Sequence, residues 1–171
     1  MHEIFAQPRV TQKILDDPRI DIEQWVSKKL IDVFTQEENR AFLSGDGIGK
    51  PTGLLRYAAS NHKECVLGTG KKGDLTADSI VTLFYELGER FSRNAKFLMS
   101  RNVLQAVRML KETNSGKYLW QPDLSGTGAD TLLGAEVIEC AEMPKAVNDA
   151  LAIVAADFEH AYQIVDGHGI R

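Results

Sequence analysis

The feature that most constrains this chain is the run Gly45-Asp46-Gly47-Ile48-Gly49-Lys50-Pro51-Thr52-Gly53, placed directly after a long stretch of helical periodicity. Glycine lets the backbone take positive φ, or lets another backbone segment approach closely. Pro51 fixes its own φ and steers Lys50 to an extended conformation. Thr52 can bond to nearby backbone. Leu54 and Leu55 then return the chain to apolar surroundings. A loop built this way reads as a rigid corner that sets the preceding rod relative to whatever follows.

That rod begins at Asp21, a good N-cap residue, with Gln24 three residues later completing a capping-box-like pair. Ile22, Val26, Leu30, Val33, Phe34 and Ala41 recur at three- and four-residue steps, and Trp25 and Ile31 widen the stripe. Gly45 supplies the stop. About 23 helical residues make a rod of roughly 35 Å, a length that serves as a spine or packs against a sheet. Before it, Glu3 to Val10 reads as a short strand or extended arm broken by Pro8, and Thr11 to Leu15 as a helical turn.

After the corner, Arg56 to Gly73 is mixed and polar, with Gly68, Gly70 and Gly73 around Lys71 and Lys72, and reads as a mobile segment or a domain junction. Thr76 is the next N-cap, followed by Ile80, Leu83, Phe84, Leu87 and Phe91 at helical spacing. Lys96 to Met99 is a short apolar strand. Ser100 caps a further helix with Val103, Leu104, Val107 and Leu110 on one face. Thr113 to Gly134 is a long loop rich in Gly, Ser, Asp and Pro, the kind that serves as an interaction surface. Ala135 to Cys140, Leu151 to Ala156 and Ala161 to Val165 read as strands. Helices and short strands together make the chain α+β.

Most chemical readings fail on spacing. A phosphate-binding loop needs Gly, four residues and then Gly-Lys-Ser/Thr, between a strand and a helix. Here Gly49-Lys50 is followed by Pro51, the position five before Gly49 is Ser44, and a helix precedes the loop. The dinucleotide fingerprint fails too, because Gly45, Gly47 and Gly49 lack the two-residue gap before the last glycine. His2, His62, His160 and His168 form no constellation with serine or cysteine. Asp157, Glu159 and His160 sit at a strand end without a second cluster, and Glu136, Glu139 and Glu142 read as the exposed side of a strand and its turn. No cofactor, metal or catalytic residue is therefore assigned. Cys65 and Cys140 stand outside any C-x-x-C and read as two buried free thiols, with a disulfide as the alternative. The net charge is −4, and pairs such as Lys28-Lys29 and Lys71-Lys72 are too short for a basic stripe, so contact with nucleic acid is weak or indirect. No apolar run approaches the ~20 residues of a membrane span, and no signal architecture opens the chain, so a soluble, intracellular product is expected.

The run Ala41 to Leu55 resembles the signature of the HK97-type major capsid proteins of tailed phages and prophages: an apolar pair, a small residue, Gly45-Asp46-Gly47, a short step, Pro51-Thr52-Gly53 and an aliphatic. The similarity continues in family order through Gly116-Lys117, Tyr118-Leu119-Trp120-Gln121-Pro122, Thr131-Leu132-Leu133-Gly134, Met143-Pro144, Ala156-Asp157-Phe158 and Ala161 to Asp166. Thr11-Gln12 with Leu15-Asp16-Asp17 fits as well.

The resemblance implies an HK97-like capsid fold. Residues 1–56 would form part of a peripheral domain with its strands and the spine helix Ile22 to Leu43. Residues 57–75 would be a junction, 76–163 an axial domain of helices around a small mixed β-sheet, and 164–171 a strand returning to the peripheral domain. It implies a structural protein, not an enzyme, that joins copies of itself in pentamers and hexamers of an icosahedral shell. Scaffold and portal proteins would be further partners. The shell would enclose DNA without reading its sequence, as a virion capsid assembled in the host cytoplasm, with no membrane. The family's N-terminal arm, extended loop and later strands have no counterpart between Met1 and Arg171, so a fragment is expected. The loop Thr113 to Thr131 would face a symmetry axis and be mobile in isolation. An encapsulin-like compartment is the alternative within the fold, and a nucleotide-binding enzyme using Gly45 to Gly53 the remote one.

Overall fold

A computed structural model describes residues 4–9, 11, 21–56, 66, 75–111, 131–147 and 150–165. The chain divides into two compact units, Met1–Ser60 and Asn61–Arg171.

The first unit is dominated by helix α1, Ile22–Ser44. Asp21 opens it as expected: its carboxylate accepts the Gln24 N–H at 3.1 Å, satisfying one of the free amides of the first turn. The apolar stripe meets little cover. Ile22, Val26, Leu30 and Phe34 are half-buried, Trp25, Ile31 and Val33 are exposed, and only Leu43 is buried. Among the described residues of this unit no strand accompanies the helix, and residues 4–9 form no ladder where an extended arm was expected. The peripheral strands are thus not found there. Thr11 alone of the turn Thr11 to Leu15 is described.

The second unit carries its own core. Thr76 and Ser79 form a reciprocal capping box that starts helix α2, Ala77–Tyr85. The periodicity suggested a helix running on to Phe91, but the ladder breaks. Leu87 N–H turns back to Phe84 O at 3.3 Å, and Gly88 starts a separate short helix α3, Glu89–Ser92. Phe91 keeps its four-residue spacing from Leu87, so the pattern alone does not betray the break. Strand β1, Lys96–Met99, follows as read, then helix α4, Arg101–Arg108. Ser100 occupies the N-cap position of α4 without a capping side-chain bond; its hydroxyl donates instead to Pro144 O at 3.4 Å.

Strands β2 (Thr131–Leu132), β3 (Ala135–Glu139) and β4 (Ile153–Ala156) complete a mixed sheet in the order β2-β3-β1-β4. β1 runs parallel to β3 and antiparallel to β4, with Phe97 opposite both Val137 and Ala155. Alternation along β1 sends Phe97 and Met99 to one face, where neither has any exposed surface. Ile80 of α2, Val103, Leu104 and Val107 of α4, and Leu132 and Ala135 join them in one cluster, with the Phe84 ring stacked on Phe97 at 5.8 Å. The fold is α+β, with helices and a small mixed sheet.

Two expectations are corrected here. The end of the loop read over Thr113 to Gly134 is a hairpin strand, since Thr131 and Leu132 pair with Glu136 and Ala135; residues 112–130 lie outside the described ones, as does the expected mobility of that loop. Ala161 to Val165 is not a strand. Asp157 caps a helical turn α5, Phe158–Ala161, whose last amides return to Asp157 O, and no ladder follows to residue 165. The strand read from Leu151 starts only at Ile153.

The hairpin turn carries local strain. Leu133 has φ 54° and Gly134 φ 83°, the pair of left-handed residues that a two-residue turn of this hand requires. Leucine resists that region by about 1–2 kcal/mol, and Leu133 is 44% exposed, so its burial does not offset the strain. Leu133→Asn is expected to stabilise the chain by about 1 kcal/mol, raising Tm by about 2–4 °C in a thermal unfolding scan. A lower Tm would contradict this account of the turn.

Candidate functional site

The glycine corner is built from two backbone segments in contact. Gly45 N–H ends α1 by donating to Ala41 O at 2.9 Å, and Gly53 N–H donates to Gly45 O at 3.0 Å, closing the loop on itself. Asp46 and Thr52 form an antiparallel bridge inside that closure. The glycines serve two different needs. Gly47 and Gly49 take φ of 81° and 69°, values that side chains disfavour. Gly45 and Gly53 are required for space. A Cβ on Gly45 would overlap the carbonyl oxygens of Pro51 and Ala41, and one on Gly53 would come within 2.5 Å of Gly45 N and the Leu43 carbonyl. Leu43 and Leu55, on either side of the corner, are both buried.

Asp46 turns its carboxylate back onto the loop. Asp46 Oδ1 accepts the Ile48 N–H at 3.1 Å, a short-range turn of the kind Asp favours. That bond, first, and the Lys50 ammonium hold the Asp46 carboxyl below its ordinary value of 3.8, while desolvation works the other way. The folded state therefore binds the carboxylate form better. This contribution is present above pH 3.8 and is lost as pH falls through the lower folded value. The Lys50 to Asp46 pair is long, at 3.9 Å, and exposed, so it adds little. A phosphate cradle needs convergent amides facing an anion. Here the Ile48 amide faces the loop's own carboxylate, the Gly45 and Gly53 amides face backbone carbonyls, and Pro51 has none. Only Ile48, 82% exposed at the tip, projects outward as an apolar group.

A graded series follows from this geometry. Gly53→Val, which forces backbone apart, is expected to cost about 3 kcal/mol or more. Gly49→Ala has open space but the wrong φ and should cost about 1 kcal/mol. Lys50→Ala should stay within about 0.5 kcal/mol. Denaturant midpoints would measure all three; equal midpoints for Gly53→Val and Lys50→Ala would contradict the steric account.

The other motif residues fall in the second unit or outside the description. Gly134 is the second turn residue of the β2–β3 hairpin. Pro144 follows the buried Met143 and supplies the carbonyl that receives the buried Ser100 hydroxyl. Tyr118, Leu119, Trp120, Gln121 and Pro122 lie outside the described residues, as does Cys65. Cys140 is half-buried and free, its thiol pushed up chiefly by desolvation. Of the three glutamates, Glu136 and Glu139 are exposed as read. Glu136 pairs with Lys96 across the strands at 2.7 Å, whereas Glu142 is half-buried and accepts the Cys140 thiol at 3.5 Å.

Asp157 is the polar residue that sequence reasoning undervalued. It is 5% exposed, its Oδ1 accepts Glu159 N–H at 3.1 Å, and its Oδ2 lies 2.9 Å from His160 Nδ1. Its position just before a helical turn was the available signal. Asp157, Glu159 and His160 do bring potential metal ligands within 4.8 Å of one another, but Glu159 and His160 are exposed. The carboxylate of Asp157 is already engaged as the cap.

Three comparisons bear on what this arrangement serves. The model of the phage capsid family matches residues 1–171. The major capsid protein of Escherichia phage T5 is 24% identical over 163 residues, covering 94% of this chain and 34% of that protein. The capsid of the empty GTA particle, computed with C5 symmetry, superposes with a TM-score of 0.78 at 37% identity, covering 92% of this chain and 56% of that one. The capsid of the native GTA particle gives 0.77 at 35%, with the same coverage. The chain thus spans about a third of the T5 relative and just over half of the two solved capsid chains. With its whole length matched, this chain belongs to the phage capsid family.

Proposed function

We propose that the chain serves as a structural subunit of an icosahedral phage or prophage capsid, associating with copies of itself to enclose DNA. The observation that carries this reading is the likeness, along nearly the whole chain, to capsid chains solved in particles. In this reading the fold is HK97-like. Helix α1 is the spine of a peripheral domain, residues 76–163 form the axial domain, and the segment from 164 onward leads back to the peripheral domain. The motif residues of the corner, Gly45, Asp46, Gly47, Gly49, Pro51 and Gly53, act by geometry, and so do Gly134 and Pro144 in the second unit.

The mechanism is mechanical. Subunits present complementary edges, and head-to-tail contacts related by a rotation close into rings, here pentamers and hexamers, and then into a shell. Capsid relatives point to a structural role. A net charge of −4 suits a lining that holds DNA without gripping its phosphates, since tight non-specific binding depends on clustered Lys and Arg. Scaffold and portal proteins would be partners during assembly in the host cytoplasm, and the virion capsid the final location.

Light scattering on a concentration series of the purified chain, with negative-stain microscopy of the same samples, tests this. Concentration-dependent oligomers are expected. A strictly monomeric chain that binds nucleotide with magnesium, and loses that binding on Lys50→Ala, would overturn the reading.

A further inference from the structure

Helix α1 has a row of residues spaced by four, Trp25, Lys29, Val33, Glu37 and Ala41, that is its own complement when turned end for end. Such rows are the ridges by which helices pack, and two of them lie parallel when helices cross at roughly −50°, the commonest class of contact. Val33 sits at the centre of the row and is 49% exposed; Trp25, at one end, is 44% exposed. Lys29 and Glu37 are exposed, with Glu37 held only loosely by Arg40 at 4.0 Å. Trp25, Lys29 and Val33 of the row, with Val26 and Leu30, line one wall of a groove whose other wall is Ala6, Gln7, Pro8 and Arg9.

We propose that this ridge is a two-fold contact surface whose occupant is the α1 helix of a second copy, running antiparallel. Val33 meets Val33 of the partner at the axis. Lys29 of each copy lies against Glu37 of the other, giving two ion pairs by symmetry, and the large Trp25 side chain faces the small Ala41. An isologous contact demands this kind of self-complementarity. A parallel pair would set lysine against lysine and glutamate against glutamate, so charge selects the antiparallel arrangement. Opposed helix dipoles favour it as well. Exposed ion pairs add little affinity but fix orientation, while Val33, Trp25 and the groove residues supply the apolar area.

The inference rests on the self-association proposed above and assigns it one surface. Sedimentation of the full chain tests it, with circular dichroism to confirm folding of each variant. Lys29→Glu alone and Glu37→Lys alone each place two like-charge pairs in the contact, and the repulsion, more than the lost attraction, is expected to weaken self-association about tenfold. An equimolar mixture of the two single variants should recover it as a heterodimer, and the doubly swapped chain K29E/E37K should recover it alone. Positions 29 and 37 are eight residues apart on the helix, too far to pair within one chain, so recovery reports a contact between copies. Association that persists through both single reversals would sink this surface and leave the proposed function standing. So would loss that neither the mixture nor the double swap recovers. A wild-type chain that stays monomeric throughout would overturn the self-association proposed above and this surface with it.

Discussion

The backbone of Gly53 rests against the carbonyl of Leu43 and the amide of Gly45, with no room for even a methyl group between them. The rest of the first unit depends on that contact. It fixes where α1 ends and returns the chain past its own helix terminus. Gly53 N–H then supplies the hydrogen bond that ties the two limbs together. A helix of 23 residues with so little buried surface needs a defined end, because frayed turns would blur the direction in which the corner sends the chain. Asp46 adds a local bond to Ile48, and the glycines at 47 and 49 take up the backbone angles that the tight path demands.

The second unit rests on a different principle. Its described elements are short, two to nine residues each, and none would persist alone in water. They persist because Phe97 and Met99, fully buried on the central strand, give α2 and α4 a common surface to cover. Local signals sharpen the edges of that arrangement: the Thr76 and Ser79 box at the start of α2, and the Asp157 cap of α5. The second unit has a buried core of its own, whereas the long helix of the first leaves Trp25 and Val33 exposed.

What could be read directly from the chain was whatever depends on near neighbours. Asp21 as the start of α1, Thr76 as the start of α2, the strand Lys96 to Met99 and the buried face Val103, Leu104 and Val107 all follow from caps and periodicity. The corner was legible because a proline and four glycines leave few paths. The misreadings share one cause. Phe91 keeps helical spacing across a break that Gly88 makes, and Ala161 to Val165 has strand-like composition in a segment where Asp157 starts a helical turn. Composition and spacing do not report which backbone amide finds which carbonyl.

By itself, then, the sequence determined the α1 rod, the corner that ends it and the family whose motifs appear in order, because each depends on residues within a few positions of one another. Only the tertiary structure decided that Gly45 and Gly53 are needed for space and not for positive φ, since that requires knowing that Leu43 and Pro51 come to lie against them. It decided too that Ser100 bonds Pro144 instead of capping α4, and that Leu132 turns back onto Ala135. Each of these contacts is set by where a distant or reversing segment of backbone arrives. The glycine corner was legible as a corner from its residues; the reason two of its glycines admit no side chain lies in the packing around them.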